Sequence, residues 1–123
     1  MSVIDAGAAV KLLLVDLHPT SAAQSLTAPH LIDSEVTHVV RRLVTGGRLD
    51  QHQGHAAFAA FRQLIIRRRP VTHLLDRMWA LRRNQSGYDA TYVAVAESLD
   101  VPLLTTDRRL ARAPRLRCPV EVV

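Results

Sequence analysis

The order of apolar runs along the chain predicts an α/β protein, a parallel sheet of about four to five strands flanked by helices. Three observations carry this. Short apolar runs such as Val3-Ile4 and Leu103-Leu104 alternate with longer segments of helical period, and that alternation builds a parallel sheet covered on both faces. The length, 123 residues, is that of one domain, and residues 1–123 contain no internal repeat or linker. The composition, 48% hydrophobic and 22% charged, excludes disordered, collagen-like and low-complexity chains.

Taken in order, Val3-Ile4 reads as a strand ending at Asp5. Ala6 to Val15 is too long and too rich in Ala and Leu for a strand and is expected as a buried helix. After a turn at His18-Pro19, a short helix is expected from Ser21 to Leu26. Asp33 reads as the N-cap of a helix whose Val36, Val39, Val40, Leu43 and Val44 keep the i, i+3, i+4, i+7, i+8 spacing, and Gly46-Gly47 ends it. A second amphipathic helix is expected between Leu49 and Arg69. It opens near Asp50, carries Phe58, Phe61, Leu64 and Ile65, and sets Arg67-Arg68-Arg69 at the negative end of its dipole before Pro70. Val71 to Leu74 reads as a strand and Leu75 to Arg83 as a helix. Asp89 opens a helix over Ala90 to Leu99 that is apolar almost all round and therefore buried. Pro102-Leu103-Leu104 is the next strand, a short helix starts at Arg108, and Val120-Glu121-Val122 closes the sheet.

Sixteen basic residues against eleven acidic give a net charge of +5, and Lys11 is the single lysine. Such a surplus of arginine suits a polyanionic partner. With Phe58, Phe61, Trp79, Tyr88 and Tyr92 as the only aromatics, a platform for stacking bases is excluded, so nucleic acid would be held through its backbone. Arg82 and Arg83 before Asp89, and Arg108 and Arg109 after Asp107, are placed to rim a groove. Apolar runs are too short to span a membrane, and Met1 to Asp5 lacks the basic start of a signal peptide, so a cytoplasmic location is expected. The lone Cys118 forms no internal disulfide, and His52 and His55 lack a second ligand pair for zinc.

Four acids stand where charge is least expected. Asp5 and Asp107 follow apolar strands, at the carboxyl edge where open parallel sheets bind ligands, and Glu35 and Asp89 lie in the first turns of apolar helices. Each alone could be a helix cap. Together, like charges would raise one another's pKa values and destabilise the fold unless a cation neutralised them. An all-oxygen set favours Mg²⁺ or Mn²⁺ over zinc, and a hard cation on a basic domain suits phosphodiester hydrolysis.

The segments Val3-Ile4-Asp5-Ala6, Ala28-Pro29-His30-Leu31-Ile32-Asp33-Ser34-Glu35-Val36, Tyr88-Asp89-Ala90-Thr91-Tyr92-Val93-Ala94-Val95-Ala96-Glu97 and Pro102-Leu103-Leu104-Thr105-Thr106-Asp107-Arg108-Arg109-Leu110 resemble, in order, the motifs of PIN-domain ribonucleases, specifically the VapC toxins of bacterial toxin–antitoxin pairs. The resemblance implies a PIN-like three-layer fold and places the family's four acidic positions on Asp5, Glu35, Asp89 and Asp107. It implies cleavage of structured RNA with Mg²⁺ or Mn²⁺, pairing as a homodimer, and inhibition by a cognate antitoxin. Thr105 falls at the family's hydroxyl position and is expected to orient a carboxylate or a water on the metal. Gly7 departs from the family, standing where a serine or similar polar residue is common. A phosphoryl-accepting receiver domain is excluded, since it needs paired acids after the first strand and a late lysine. The remaining alternative is a non-catalytic RNA-binding or regulatory PIN-like module, which predicts a missing acid.

Overall fold

The structure is a computed structural model and describes residues 1–15 and 25–123. The elements are β1 (Ser2–Ile4), α1 (Ala6–Val15), β2 (Leu26–Pro29), α2 (Leu31–Thr45), α3 (Gln51–Gln63), β3 (Ile66–Arg69), a 3-10 turn (Thr72–Leu74), α4 (Leu75–Ala80), α5 (Gly87–Leu99), β4 (Leu103–Thr105), α6 (Arg108–Ala111) and β5 (Val120–Val122). The strands form one sheet in the order β3-β2-β1-β4-β5, and every pairing is parallel. The chain walks outward from β1 to β3, then crosses back to β4 and β5. Right-handed crossovers therefore place α1, α2 and α3 on one face and α4, α5 and α6 on the other. The expected three-layer α/β architecture is what forms.

The core lies on both faces of the central strands: Val3, Ile4, Ile32, Val36, Val93, Val95 and Leu103 are fully buried. In α5 every residue from Ala90 to Ala96 is buried, as its all-round apolar character requires. Asp50 opens α3 with a capping box, accepting from Gln53 N–H at 2.7 Å while Gln53 Oε1 accepts from Asp50 N–H at 2.9 Å. Cys118 is buried, which pushes its thiol up to about 11.

Several expectations fail. Leu26 belongs to β2, not to a helix; the turn at His18-Pro19 and residues 21–24 lie outside the described residues. The helix from Asp50 stops at Gln63, and the next four-residue stretch, Ile66–Arg69, is strand β3, paired along its length with β2. Three arginines in succession carry no helical stripe to bury, whereas the strand gains a full ladder. Arg67, Arg68 and Arg69 thus compensate no helix dipole: Arg68 pairs with Asp33 at 2.6 Å, and Arg69 Nε donates to Thr27 Oγ1 at 3.0 Å. Val71 to Leu74 forms a helical turn in place of a strand, and α4 ends at Ala80, short of Arg83. Asp33 sits inside the first turn of α2, with His30 at the cap, and Ser86 rather than Asp89 caps α5. No described helix is long and apolar enough to cross a membrane.

Candidate active site

Parallel strands deliver their carboxyl ends to one edge, and the segments that follow the strands carry the four acids to it. Asp5 immediately follows β1, and its N–H donates to Leu104 O of neighbouring β4 at 3.1 Å. Asp107 follows β4 and caps α6. Glu35 comes from the start of α2 after β2, and Asp89 from the first turn of α5. Sheet order decides this convergence, because β1 and β4 are adjacent where the strand order reverses.

The electrostatics agree with that placement. Burial raises the Asp5 carboxyl above its ordinary value; the Thr105 hydroxyl and Ala8 N–H oppose this, while Asp89 and Asp107 push it further up. Glu35 is likewise raised by burial, with Tyr92 opposing and Asp89 and Asp5 adding to the rise. Asp89 is raised by burial and then by Asp107. Asp107 goes the other way, held low chiefly by the Arg109 guanidinium. Burial is the first cause of the rise at Asp5, Glu35 and Asp89, and neighbouring carboxylates add to it at each, an arrangement that favours a bound cation.

The supporting contacts are specific. Asp5 Oδ1 accepts from Ala8 N–H at 2.8 Å, which fixes one of its oxygens. Thr105, fully buried, accepts from Asp107 N–H at 3.0 Å while its hydroxyl also bears on Asp5, so one side chain touches two of the acids. Glu35 Oε1 and the Tyr92 hydroxyl are both buried without a hydrogen-bond partner, although they lie near enough to perturb each other and burial drives the Tyr92 pKa upward. At Gly7 a Cβ would stand 2.7 Å from Thr106 Oγ1 and 3.6 Å from Asp5 Oδ1. The glycine therefore makes room for a threonine hydroxyl beside the acid.

Not every expected residue reaches the site. Arg109 does, its guanidinium 3.3 Å from Asp107 Oδ2. Arg82 instead lies over the Trp79 ring, 4.5 Å from its centroid, and donates to Trp79 O at 2.9 Å. Arg83 and Arg108 are exposed and make no side-chain hydrogen bond or ion pair among the described residues. A pocket of about 490 Å³ is lined by two of the four acids, Asp89 and Asp107, and by Asn84, Ser86, Arg109 and Arg112 among others. An apolar groove of about 400 Å³, bounded by Val40, Val44, Gly54 and Phe58, lies between α2 and α3 and contains none of the four acids.

Among the described residues, no three His, Cys, Asp or Glu side chains are gathered closely enough to hold an ion as they stand. The donor set still fits a hard divalent cation: it is all oxygen, its members repel one another, and Glu35 Oε1 is a buried acceptor lacking a donor.

Sequence reasoning passed over Tyr92, Arg112 and the structural use of Glu97. Tyr92 stands three residues after Asp89, on the same side of α5, and that spacing was the available signal. Glu97 accepts from Arg77 Nε at 2.7 Å and from Arg117 N–H at 2.9 Å, tying α5 to α4 and to the C-terminal segment. Nothing local in the sequence points to those partners.

A family model of the PIN domain matches residues 3–116. The chain is 43% identical over 125 residues to ribonuclease VapC9 of Mycobacterium tuberculosis, spanning all of this chain and 98% of that one. It is 48% identical over 97 residues to ribonuclease VapC1 of the same organism, covering 78% of this chain and 73% of that one. In fold it is similar to PAE2754 from Pyrobaculum aerophilum, with a TM-score of 0.73 at 22% identity over 97% of this chain and 87% of that one. It is also similar to VapBC2 from Rickettsia felis, solved bound to a DNA fragment from its promoter, with a TM-score of 0.68 at 12% identity over 99% and 98% of the two chains. With its four acids at the carboxyl edge of a five-stranded parallel sheet, residues 3–116 matched by the family model and its whole length aligned to ribonuclease VapC9, the chain belongs to the PIN-domain family, among the VapC ribonucleases.

Proposed function

We propose that this chain is a metal-dependent endoribonuclease, the toxin of a VapBC-type pair, which hydrolyses phosphodiester bonds of structured RNA and is neutralised by a cognate antitoxin. The observation that carries this reading is the placement of Asp5, Glu35, Asp89 and Asp107 at the carboxyl edge of one sheet, with Asp89 and Asp107 lining a pocket that also holds Arg109 and Arg112. All four acids are present, which argues against a non-catalytic module.

Asp5, Glu35, Asp89 and Asp107 would hold Mg²⁺ or Mn²⁺, which when bound neutralises their charge and supplies a more acidic water for attack at phosphorus. The protein's own groups prepare the site. Ala8 N–H and the Thr105 hydroxyl orient Asp5, and Thr105 also anchors the backbone of Asp107. Arg109 and Arg112, which line the pocket, would grip the RNA backbone, with Arg82, Arg83 and Arg108 as outlying basic groups. The groove between α2 and α3 offers an apolar seat for an antitoxin helix. A homodimer and a cytoplasmic location complete the reading.

The test is cleavage of a structured RNA by purified protein with Mg²⁺, with Mn²⁺ and with EDTA, beside Asp5→Asn and Asp89→Asn. Cleavage is expected only with a divalent ion and only in the parent. If both variants cut as fast as the parent, the carboxylate mechanism is wrong. Co-purification with the product of the adjacent gene tests the antitoxin.

A further inference from the structure

Arg109 stands in a peculiar position: it is the one arginine that makes an ion pair with any of the four acids among the described residues. Two separate contacts hold Asp107. Its Oδ1 accepts from the Arg109 backbone N–H at 2.8 Å, a cap that persists whatever the side chain does. The guanidinium adds a looser fork, Nε to Oδ1 at 3.4 Å and a terminal nitrogen to Oδ2 at 3.3 Å. That side chain is 92% exposed, so the fork is solvated, long and weak. Asp107 is consequently fixed by the backbone and only latched by the guanidinium. The latch opens into the pocket of about 490 Å³ that Arg109 shares with Arg112, Asp89 and Asp107.

Resting on the metal-nuclease reading above, we infer that Arg109 is a built-in counterion that competes with the divalent cation for Asp107 and, once displaced, offers its guanidinium to a phosphodiester of the substrate. The backbone cap keeps the carboxylate aimed during the exchange. A solvated arginine fork yields readily to a dication at the same oxygens, whereas a tight, buried one would block the site. One side chain thereby covers surplus negative charge before loading and binds negative charge after it, which makes it a positioning residue that links cation binding to RNA binding.

The test is calorimetric titration of Mn²⁺ into the RNA-free protein, with Arg109→Ala, Arg109→Lys and Arg112→Ala as variants. Arg109→Ala should bind Mn²⁺ about two- to fivefold more tightly than the parent, the factor an exposed ion pair can withhold. Arg109→Lys, which keeps the charge but cannot make the two-point fork, should fall between. Arg112→Ala removes the same charge from the same pocket without a contact to Asp107 and should shift affinity less. Equal affinities in parent and Arg109→Ala, or equal tightening in Arg112→Ala, would overturn the competition while leaving the metal site in place. A parent that binds no Mn²⁺ at all would overturn the metal reading and this inference with it. For the second half, RNA binding is measured across salt with Ca²⁺ in place of Mg²⁺. Arg109→Ala should lower the slope of log affinity against log salt by about one, and an unchanged slope overturns the phosphate contact.

Discussion

Asp89 combines half-burial, a raised carboxyl and a neighbouring Asp107, so its charged form is disfavoured in the fold. Asp89→Asn removes that repulsion, and RNA cleavage should fall by at least about 100-fold while the melting temperature, measured with chelator, stays level or rises. The sign with pH follows from the upward shift. A folded state that holds its proton more tightly than the unfolded one is favoured at low pH, and that advantage is lost as pH rises through the folded pKa. The stability of Asp89→Asn minus that of the parent should therefore grow as pH is raised from below the ordinary 3.8 toward neutrality. A flat difference in chemical denaturation across that range would remove the electrostatic strain. Gly7 carries a second prediction. Gly7→Ala places a methyl where the Thr106 hydroxyl now lies, so cleavage should drop by about tenfold through displacement of the turn before Asp107. The double variant Gly7→Ser with Thr106→Ala, which moves the hydroxyl from position 106 to position 7, should recover most of the rate.

At the scale of elements, two contacts hold the layers that frame the site. Gly54 lets α3 approach α2: an added Cβ would stand 2.6 Å from Val44 Cγ2. Alanine is the better helix former by about 1 kcal/mol, but overpacking a tight helix contact costs about 1–3 kcal/mol, so Gly54→Ala should lower stability by about 1 kcal/mol. Denaturant midpoints decide the sign, and a rise would show that α2 gives way. Arg77 and Glu97 join α4 to α5 through a 2.7 Å pair in which the glutamate is almost fully buried. Burial works to raise the Glu97 carboxyl, but the Arg77 guanidinium and Arg117 N–H outweigh it and leave it low. Arg77→Ala strands that charge and should cost about 2 kcal/mol, read in the same titration. Because Glu97 is held low, its contribution is present above the ordinary 4.5 and is lost as pH falls through the folded value.

Across the whole molecule, opposite charges divide the labour: a net +5 attracts polyanions, while a minority of the acids concentrates at one sheet edge. If those acids hold a divalent cation in the folded state alone, Mn²⁺ should stabilise the parent by about 2.7 kcal/mol at a hundred times its Kd. Asp5→Asn should lose most of that gain. Thermal melts with and without the ion check this independently of any nuclease assay.

The amino-acid order alone determined the α/β class, the buried α5, the strands β1, β4 and β5 and the candidacy of Asp5, Glu35, Asp89 and Asp107, since apolar periodicity and misplaced charges are local signals. Strands β2 and β3 were illegible for the opposite reason. A four-residue strand is stabilised by its neighbour in the sheet, and the partners here are some forty residues apart, as the bond from Thr27 Oγ1 to Arg67 O shows. The same holds for the approach of Tyr92 to Glu35 and for the tie between Arg77 and Glu97. Periodicity reports which face of an element is apolar, but only the packed sheet decides which polar groups are left facing one another.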